Sequence, residues 1–147
     1  MKFQCSVEID LPIDKVVSLF DDPKNLPHWQ DGFLGTEHIS GTPGEPGTQT
    51  ILSYLVGKKE LDLTETIIVK NLPDEFIATY EAPAMTKTMT TRFTKLGESK
   101  TKYIADVEYT KFNGLIPKLM GLFMKGLFQK QTQKWLAQFK AFAEKEN

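Results

Sequence analysis

The sequence of 147 residues predicts an α+β fold in which a long C-terminal helix lies against a curved antiparallel sheet of seven strands. Two observations carry this prediction. Segments of alternating apolar and polar residues, separated by short turns, follow one another from roughly Gly32 to Lys111. After them, from Gly114 to Glu144, about 30 residues keep a helical period. A helix laid across a curved sheet encloses an apolar interior, so the sequence suggests a container for an apolar small molecule.

The chain opens with one strand and two short helical segments. Every second residue of the predicted first strand is apolar: Phe3, Cys5, Val7 and Ile9. Pro12 suits the first turn of a helix, which is predicted over about 12–20. A shorter helical turn is predicted between Pro23 and Trp29. Both short helices therefore precede the main run of strands.

The middle of the chain is predicted to form six strands, at 34–39, 48–56, 60–70, 76–82, 85–96 and 102–110. Glycine and proline mark the breaks between them, most densely in the segment 41–47. The short turns favour hairpins, and hairpins pair strands antiparallel. With the first strand, the predicted sheet has seven strands.

The size of the last helix decides where it can lie. A helix of about 28 residues is about 42 Å long, whereas a domain of this size has a radius of gyration of about 15 Å. The helix must therefore run along one side of the sheet. The predicted stripe facing the sheet is Leu119, Met120, Phe123, Leu127, Gln131, Trp135, Phe139 and Phe142.

The beginning of this helix is predicted to act as a gate to the interior, or else to pack closely through its small residues. Its sequence contains residues that weaken a helix: Gly114, Pro117, Gly121 and Gly126. A loosened turn beside a cavity would let a ligand pass. The same segment, 115–130, is apolar and dotted with lysine, which offers the alternative of docking to a membrane surface or a protein partner.

Composition limits the functional classes. Apolar residues make up 40% and charged residues 25% of the chain, and the net charge is −1, which predicts a soluble cytoplasmic protein of one domain over residues 1–147. No nucleic-acid partner, transmembrane segment, metal or cofactor is expected, because the sequence lacks a basic footprint, a long apolar run and the corresponding motifs. Cys5 is the single cysteine and is expected to be a buried apolar side chain. The oligomeric state is left open.

Strand alternation and the apolar face of the last helix yield candidate ligand-binding residues. On one predicted strand Met85, Met89 and Phe93 share a face with Lys87 and Thr91. The candidates are Trp29, Tyr54, Tyr80, Met85, Met89, Phe93, Tyr103, Tyr109, Leu119, Phe123 and Leu127. Arg92 lies on the opposite face of its strand and is expected to face solvent.

Two residues are weak candidates for catalysis. Glu65 falls on the same strand face as Leu61, Leu63 and Ile67, so its carboxylate points either into the interior or into water at the rim of the sheet. Burial would raise its pKa toward the range of a general acid or base. Tyr103 is the second candidate, as a hydroxyl donor on an inward strand face.

The order of several short sequences resembles one superfamily. The run from Val7 to Val16, the run Leu19 to Pro23 and the run Leu26 to Trp29 are similar to the opening of SRPBCC proteins, the START-like, birch-pollen-allergen-like group that includes polyketide cyclases and dehydrases. Gly44–Gly47 before a strand, and Leu72-Pro73-Asp74 between strands, are similar too. The resemblance covers essentially the whole chain.

This resemblance implies a helix-grip fold with a deep apolar cavity between the sheet and the last helix. It also implies a choice of functions, because the group contains lipid carriers, quinone chaperones, hormone receptors and aromatase/cyclases. Binding or transport of a lipid, quinone or polyketide-like molecule is the first hypothesis. The alternative is an enzyme of cyclase or dehydratase type that uses pocket Glu and Tyr groups. Arg92, the single arginine, is expected outside the cavity, which disfavours cyclase chemistry based on a pocket arginine.

Overall fold

The computed structural model describes residues 1–115, 118–119 and 123–146. Within these residues seven strands form one antiparallel sheet in the order β1-β7-β6-β5-β4-β3-β2. The strands are β1 (Lys2–Ile9), β2 (Phe33–Ser40), β3 (Gln49–Val56), β4 (Lys59–Asn71), β5 (Glu75–Glu81), β6 (Met85–Gly97) and β7 (Lys100–Phe112). The prediction of a seven-stranded antiparallel sheet is confirmed. The strands were predictable because each one alternates apolar and polar residues and ends at turn residues.

Two short helices follow β1, as predicted. They are α1 (Ile13–Phe20) and α2 (Leu26–Trp29), and a 3-10 turn (Pro23–Asn25) joins them. The sequence predicts Pro12 inside the first turn, but it lies one residue earlier, as the extended N-cap residue of α1. Its ring still fixes the chain where the helix begins.

The prediction of one continuous terminal helix from Gly114 to Glu144 is wrong. The long helix is α3 (Lys125–Lys145), and Met124 before it has a non-helical backbone with φ −111° and ψ 15°. Helical residues occur on the other side of Met124, for example Leu119 and Phe123. A pattern that is apolar on all sides predicts a helix without fixing one face against the sheet, so it does not require a single rod. No helix in the described part of the chain is long and apolar enough to cross a bilayer.

The buried stripe of α3 is rotated relative to the prediction. Its buried residues are Thr132, Leu136, Phe139 and Ala143. The prediction placed Gln131 and Trp135 on the inner face, one position earlier. Gln131 is exposed, whereas Trp135 is half-buried and packs against the core, and only Phe139 belongs to both sets. One residue corresponds to about 100° of rotation. Small Thr and Ala side chains bring the helix close to the sheet, a preference that an apolar pattern does not reveal.

Helix α3 runs along β1, which is an edge strand of the sheet. Its side chains reach carbonyl oxygens on alternate residues of that edge. Gln129 Nε2 donates to Gln4 O at 3.3 Å, Gln133 Nε2 to Ser6 O at 2.9 Å and Lys140 Nζ to Glu8 O at 2.8 Å. The helix thus covers an edge that would otherwise be open to pairing with another chain.

The main core fills the end of the molecule formed by β1, β6, β7, α1 and α3. Phe20 of α1 is half-buried and packs against this core, with ring centroids 5.2 Å from Phe93, 5.7 Å from Tyr103 and 6.0 Å from Phe139. Cys5 is buried there, as predicted. A smaller cluster lies on β3 and β4, over which the helix packs less closely: Leu52, Tyr54 and Leu63.

Candidate functional site

A cavity of about 310 Å³ lies between the concave face of the sheet and the helices. This volume is at the lower end of the range usual for small-molecule sites. Strands β2 to β7 supply most of its wall, α2 adds Trp29, and α3 adds Thr132, Trp135 and Leu136. The exposed wall residues mark the side that opens to solvent, between the end of α1 at Asp21 and the loop at Pro43 and Gly44.

A row of polar side chains crosses this concave face. The register pairs Glu65 on β4 with Thr50 on β3 and with Tyr80 on β5, and Tyr80 pairs with Lys87 on β6. His38 on β2 extends the row at the solvent side, opposite Thr50. All five residues line the cavity. Because neighbouring strands are about 4.8 Å apart, the row is about 19 Å long.

Each member of the row points inward because its strand neighbours on the same face are apolar. Leu52, Leu63 and Met89 lie two residues away from Thr50, Glu65 and Lys87, and these apolar residues also line the cavity. Alternation therefore buries the polar residue together with its apolar partner. The row is a consequence of strand register rather than of a local motif.

Glu65 and Tyr80 form a hydrogen-bonded pair. The Tyr80 hydroxyl donates to Glu65 Oε2 at 2.8 Å. Burial raises the pKa of the Glu65 carboxyl, and the hydrogen bond from Tyr80 opposes this only in part. Burial and the neighbouring carboxylate also hold the pKa of the Tyr80 phenol well above its ordinary value. The pair can therefore accept or deliver a proton at the carboxyl within an apolar enclosure.

Lys87 lines the cavity, although the sequence did not mark it as a candidate site residue. Burial lowers the pKa of its ammonium group to about 8, and Nζ lies 5.6 Å from the centre of the Tyr80 ring. No salt bridge to Lys87 occurs among the residues that the structure describes. The available signal was its position between Met85 and Met89 on an inward strand face.

Tyr54 closes the cavity on the side of α3. Its hydroxyl donates to Gln30 Oε1 at 2.7 Å, and its ring stacks on Trp135 with centroids 5.4 Å apart. Burial and the nearby Glu65 raise the pKa of Tyr54. The indole Nε1 atoms of Trp29 and Trp135 are enclosed and lack hydrogen-bond acceptors in the described part of the chain.

The opening carries an ion pair. Lys70 Nζ on β4 lies 3.0 Å from Asp21 Oδ1 at the end of α1. Both residues line the cavity and both side chains are partly exposed. This salt bridge ties α1 to the sheet beside the entrance. The gate predicted at the start of the last helix involves Pro117 and Gly121, which lie outside the described residues.

Five of the predicted ligand-binding residues line the cavity: Trp29, Tyr54, Tyr80, Met89 and Tyr103. Glu65, the candidate catalytic carboxylate, lines it as well. Tyr103 also belongs to the main core, and burial raises its pKa. The inward one of the two placements predicted for Glu65 is therefore the observed one.

Three predicted residues belong to the packed core and not to the cavity wall. Phe93 and Tyr109 are buried in the main cluster, and Met85 packs against it. The Tyr109 ring stacks on Phe128 with centroids 4.8 Å apart, which fills the space that the prediction left for a ligand. The shared strand face was predicted correctly, but the point along each strand where packing gives way to open space was not.

The placement predicted for Leu119, Phe123 and Leu127 is wrong. They are 47%, 84% and 56% exposed and are not among the described residues of the cavity wall. The reason is the break at Met124 and the rotation of α3, which together turn this row away from the sheet.

Arg92 lies on the convex face, as expected. Its guanidinium Nη1 is 2.6 Å from Asp106 Oδ2 on the neighbouring strand β7, and neither residue lines the cavity. Across the described chain, no group of three or more His, Cys, Asp or Glu side chains is placed to hold a metal ion.

Comparison with solved structures shows the same fold. The chain matches TTHA0849 from Thermus thermophilus with a TM-score of 0.80 and 15% identity, over 100% of this chain and 99% of that one. It matches the Zhui aromatase/cyclase from Streptomyces sp. R1128 with a TM-score of 0.82 and 12% identity, over 99% and 94%. It matches the protein Ara h 8.0201 with a TM-score of 0.72 and 14% identity, over 97% of each chain.

A search of curated proteins by sequence finds no significant match. The family described as polyketide cyclase / dehydrase and lipid transport matches residues 1–144. This match spans every strand of the fold and all but the last residue of α3, and it agrees with the resemblance to the SRPBCC superfamily. The chain therefore belongs to the polyketide cyclase / dehydrase and lipid transport family.

Proposed function

We propose that this protein binds an apolar or amphipathic small molecule, such as a lipid, quinone or polyketide-like compound, between the sheet and α3. The single observation that carries the proposal is the cavity of about 310 Å³ walled by Leu52, Leu63 and Met89. Apolar wall area that a ligand removes from water contributes about 25 cal/mol per Å² before the ordering costs. The protein acts as a carrier or sensor in this account.

The first test is native mass spectrometry of the protein purified from its own host. We expect a co-purifying mass of an apolar molecule. A second test uses a defined probe, decan-1-ol, titrated into the purified protein by calorimetry. We expect saturable binding at one site. A protein that retains no mass and does not bind the probe would contradict the proposal.

A pair of variants ties that binding to the cavity. Thr50 lies on the concave face, and Thr64 lies on the opposite face of the neighbouring strand, so Thr50→Trp fills the cavity and Thr64→Trp leaves it open. Tryptophan is well tolerated in strands. We expect Thr50→Trp to weaken decan-1-ol binding about tenfold or more, equivalent to about 1.4 kcal/mol, and Thr64→Trp to leave it unchanged. Equal effects of the two variants would place the probe elsewhere.

The Glu65–Tyr80 pair favours a second candidate function, acid–base catalysis of cyclase or dehydratase type. A buried carboxyl of raised pKa is suited to removing a proton next to a carbonyl group, and Tyr103 offers a further hydroxyl on the wall. Glu65→Gln should then abolish turnover of a polyketide-like substrate and spare its binding. If binding and every assayable activity survive this substitution, the catalytic candidate fails.

A further inference from the structure

Lys87 is a half-buried cation on the mostly apolar wall of the cavity, and no counter-ion lies beside it among the described residues. Its neighbours on the concave face include Met89 along β6, Tyr80 on β5 and Tyr109 on β7. The desolvation of its ammonium group is what lowers its pKa, and no carboxylate acts against that shift. A charge that is largely removed from water is normally paired, because an unpaired charge becomes less favourable as it loses its hydration.

The other charged groups of the cavity are already engaged or too distant. Lys70 pairs with Asp21 at the opening. Glu65 accepts a hydrogen bond from the Tyr80 hydroxyl. It lies on β4, two strands away from Lys87 on β6, and its carboxylate is not within 4.0 Å of Lys87 Nζ in the described structure. Burial also raises the pKa of Glu65, which disfavours its charged form. The polar row therefore contains a cation, Lys87, and no carboxylate that is free to pair with it among the described residues.

The hydrogen-bond donors on the cavity wall, like the charge of Lys87, lack partners among the described residues. An ammonium group has three donors and no acceptor. The centre of the Tyr80 ring lies 5.6 Å from Lys87 Nζ and interacts with its positive charge, but the ring does not accept hydrogen bonds from all three N–H groups. Two further donors on the same wall, Nε1 of Trp29 and Nε1 of Trp135, lack acceptors in the described chain. The cavity wall has an excess of donors.

We propose that the ligand is an apolar monocarboxylate, aliphatic or aromatic, whose carboxylate binds the ammonium group of Lys87 while its apolar body fills the space beside Leu52, Leu63 and Trp135. This inference rests on the proposed function and narrows it to one class of molecule. A charge-assisted hydrogen bond in an enclosed site is stronger than a neutral one, so the carboxylate is favoured over a neutral head group of similar size.

Matched probes test the head group. Decanoate and decan-1-ol form an aliphatic pair, and 2-naphthoate and 2-naphthol form an aromatic pair. Each is titrated by calorimetry at pH 7 into the wild-type protein, Lys87→Met and Lys95→Met. Lys95 is an exposed lysine on the same strand, so Lys95→Met is the control for removing one positive charge from β6. Methionine keeps most of the length of the side chain without its charge.

We expect the wild type and Lys95→Met to bind at least one carboxylate about tenfold or more tightly than its neutral counterpart. Lys87→Met should lose that preference and bind the neutral probe at least as well as the wild type does. The pair that binds more tightly identifies an aliphatic or an aromatic ligand. Retained binding of the neutral probe also shows that Lys87→Met is folded.

Two outcomes overturn the inference in distinguishable ways. If carboxylate and neutral probes bind the wild type equally, or if Lys87→Met keeps the preference, then the anionic class is wrong and the apolar binding function stands. If neither the carboxylates nor the neutral probes bind the wild type, then the proposed function and this inference fail together.

Discussion

The two ends of the concave sheet are filled in opposite ways. At one end, Phe93, Tyr103 and Phe139 form a buried aromatic cluster, and the half-buried Phe20 packs against it. At the other end, over β3 to β6, the described wall encloses about 310 Å³ of open space and carries the polar row. The packed end supplies stability, and the hollow end supplies the binding chemistry.

The path of α3 explains the difference. Its contacts concentrate on β1, where Gln133 and Lys140 reach edge carbonyl oxygens. A helix held along one edge cannot also cover the middle strands of a curved sheet. The space above β3 to β5 therefore stays open, and α3 contributes Thr132, Trp135 and Leu136 to its wall.

The largest expected effect contrasts two buried leucines. Leu11 belongs to the packed core and Leu52 to the cavity wall. Leu11→Ala leaves a new void in dense packing and should lower the free energy of unfolding by about 3–5 kcal/mol. Leu52→Ala enlarges a space that already exists and should cost about 2 kcal/mol. Urea denaturation measures both, and equal losses would contradict the contrast between the two ends.

Replacing Lys87 should raise the free energy of unfolding, because the partly desolvated ammonium group at the hollow end destabilises the folded state. A fall of its pKa from 10.5 to about 8 corresponds to about 3 kcal/mol as an upper bound. Lys87→Met should therefore stabilise the protein at pH 7 by about 1–3 kcal/mol, whereas Lys95→Met should change stability by less than about 0.5 kcal/mol. Urea denaturation of the three proteins would refute this if Lys87→Met were destabilised.

The pH dependence of that difference has a defined sign. Below pH 8 the ammonium group is charged in both the folded and unfolded chains, and the folded state bears the full desolvation cost. Between about pH 8 and 10.5 the unfolded chain binds the proton more tightly, so the stability of the wild type rises relative to Lys87→Met. We expect the stability gap to be smaller at pH 9.5 than at pH 7. A constant gap would mean that Lys87 is solvated.

A smaller effect concerns the Glu65–Tyr80 pair. The hydrogen bond from Tyr80 lowers the pKa of Glu65 and so opposes the effect of burial. Tyr80→Phe removes this donor, and the pKa of Glu65 should therefore rise further. The loss of the hydrogen bond should lower stability by about 1 kcal/mol. Titration of the ¹³C-labelled glutamate carboxyl by NMR measures the shift. An unchanged or lowered pKa of Glu65 would show that the pair does not form in solution.

The smallest effect belongs to the edge contact of the packed end. Gln133→Ala removes the donor to Ser6 O, an exposed hydrogen bond, and should cost about 0.5–1 kcal/mol. Hydrogen exchange of the β1 amides should increase with it, because the helix side chain holds that edge. Gln131, which is exposed on α3, serves as the control, and Gln131→Ala should leave β1 exchange unchanged. Equal exchange in the two variants would show that the Gln133 contact does not hold the edge.

The sheet was predictable because each strand carries its own alternation, and the order of turns leaves few topologies. Part of the site followed from the same alternation, which placed Tyr80 and Met89 on inward faces and left two placements open for the Glu65 carboxylate. The same alternation placed Lys87 on an inward face. Lysine side chains are normally solvated, so Lys87 was not predicted to be a site residue.

The terminal helix shows what periodicity cannot decide. Two adjacent rows of α3 are apolar enough to be buried, and close approach through Thr132 and Ala143 selects between them. The break at Met124 does not follow from the periodicity, since a run that is apolar on every side fits either one helix or two. The residues assigned to the wall from that run, such as Phe123, were therefore misplaced.

We expect an apolar molecule to enter the hollow end and to leave the packed end unchanged. Methionine methyl NMR tests this expectation directly, because Met89 lines the cavity and Met1 packs against the main core. With ¹³C-methyl-labelled methionine and added decan-1-ol, the Met89 methyl signal should shift and saturate while the Met1 signal stays in place. A Met89 signal that does not move at any probe concentration would contradict the account.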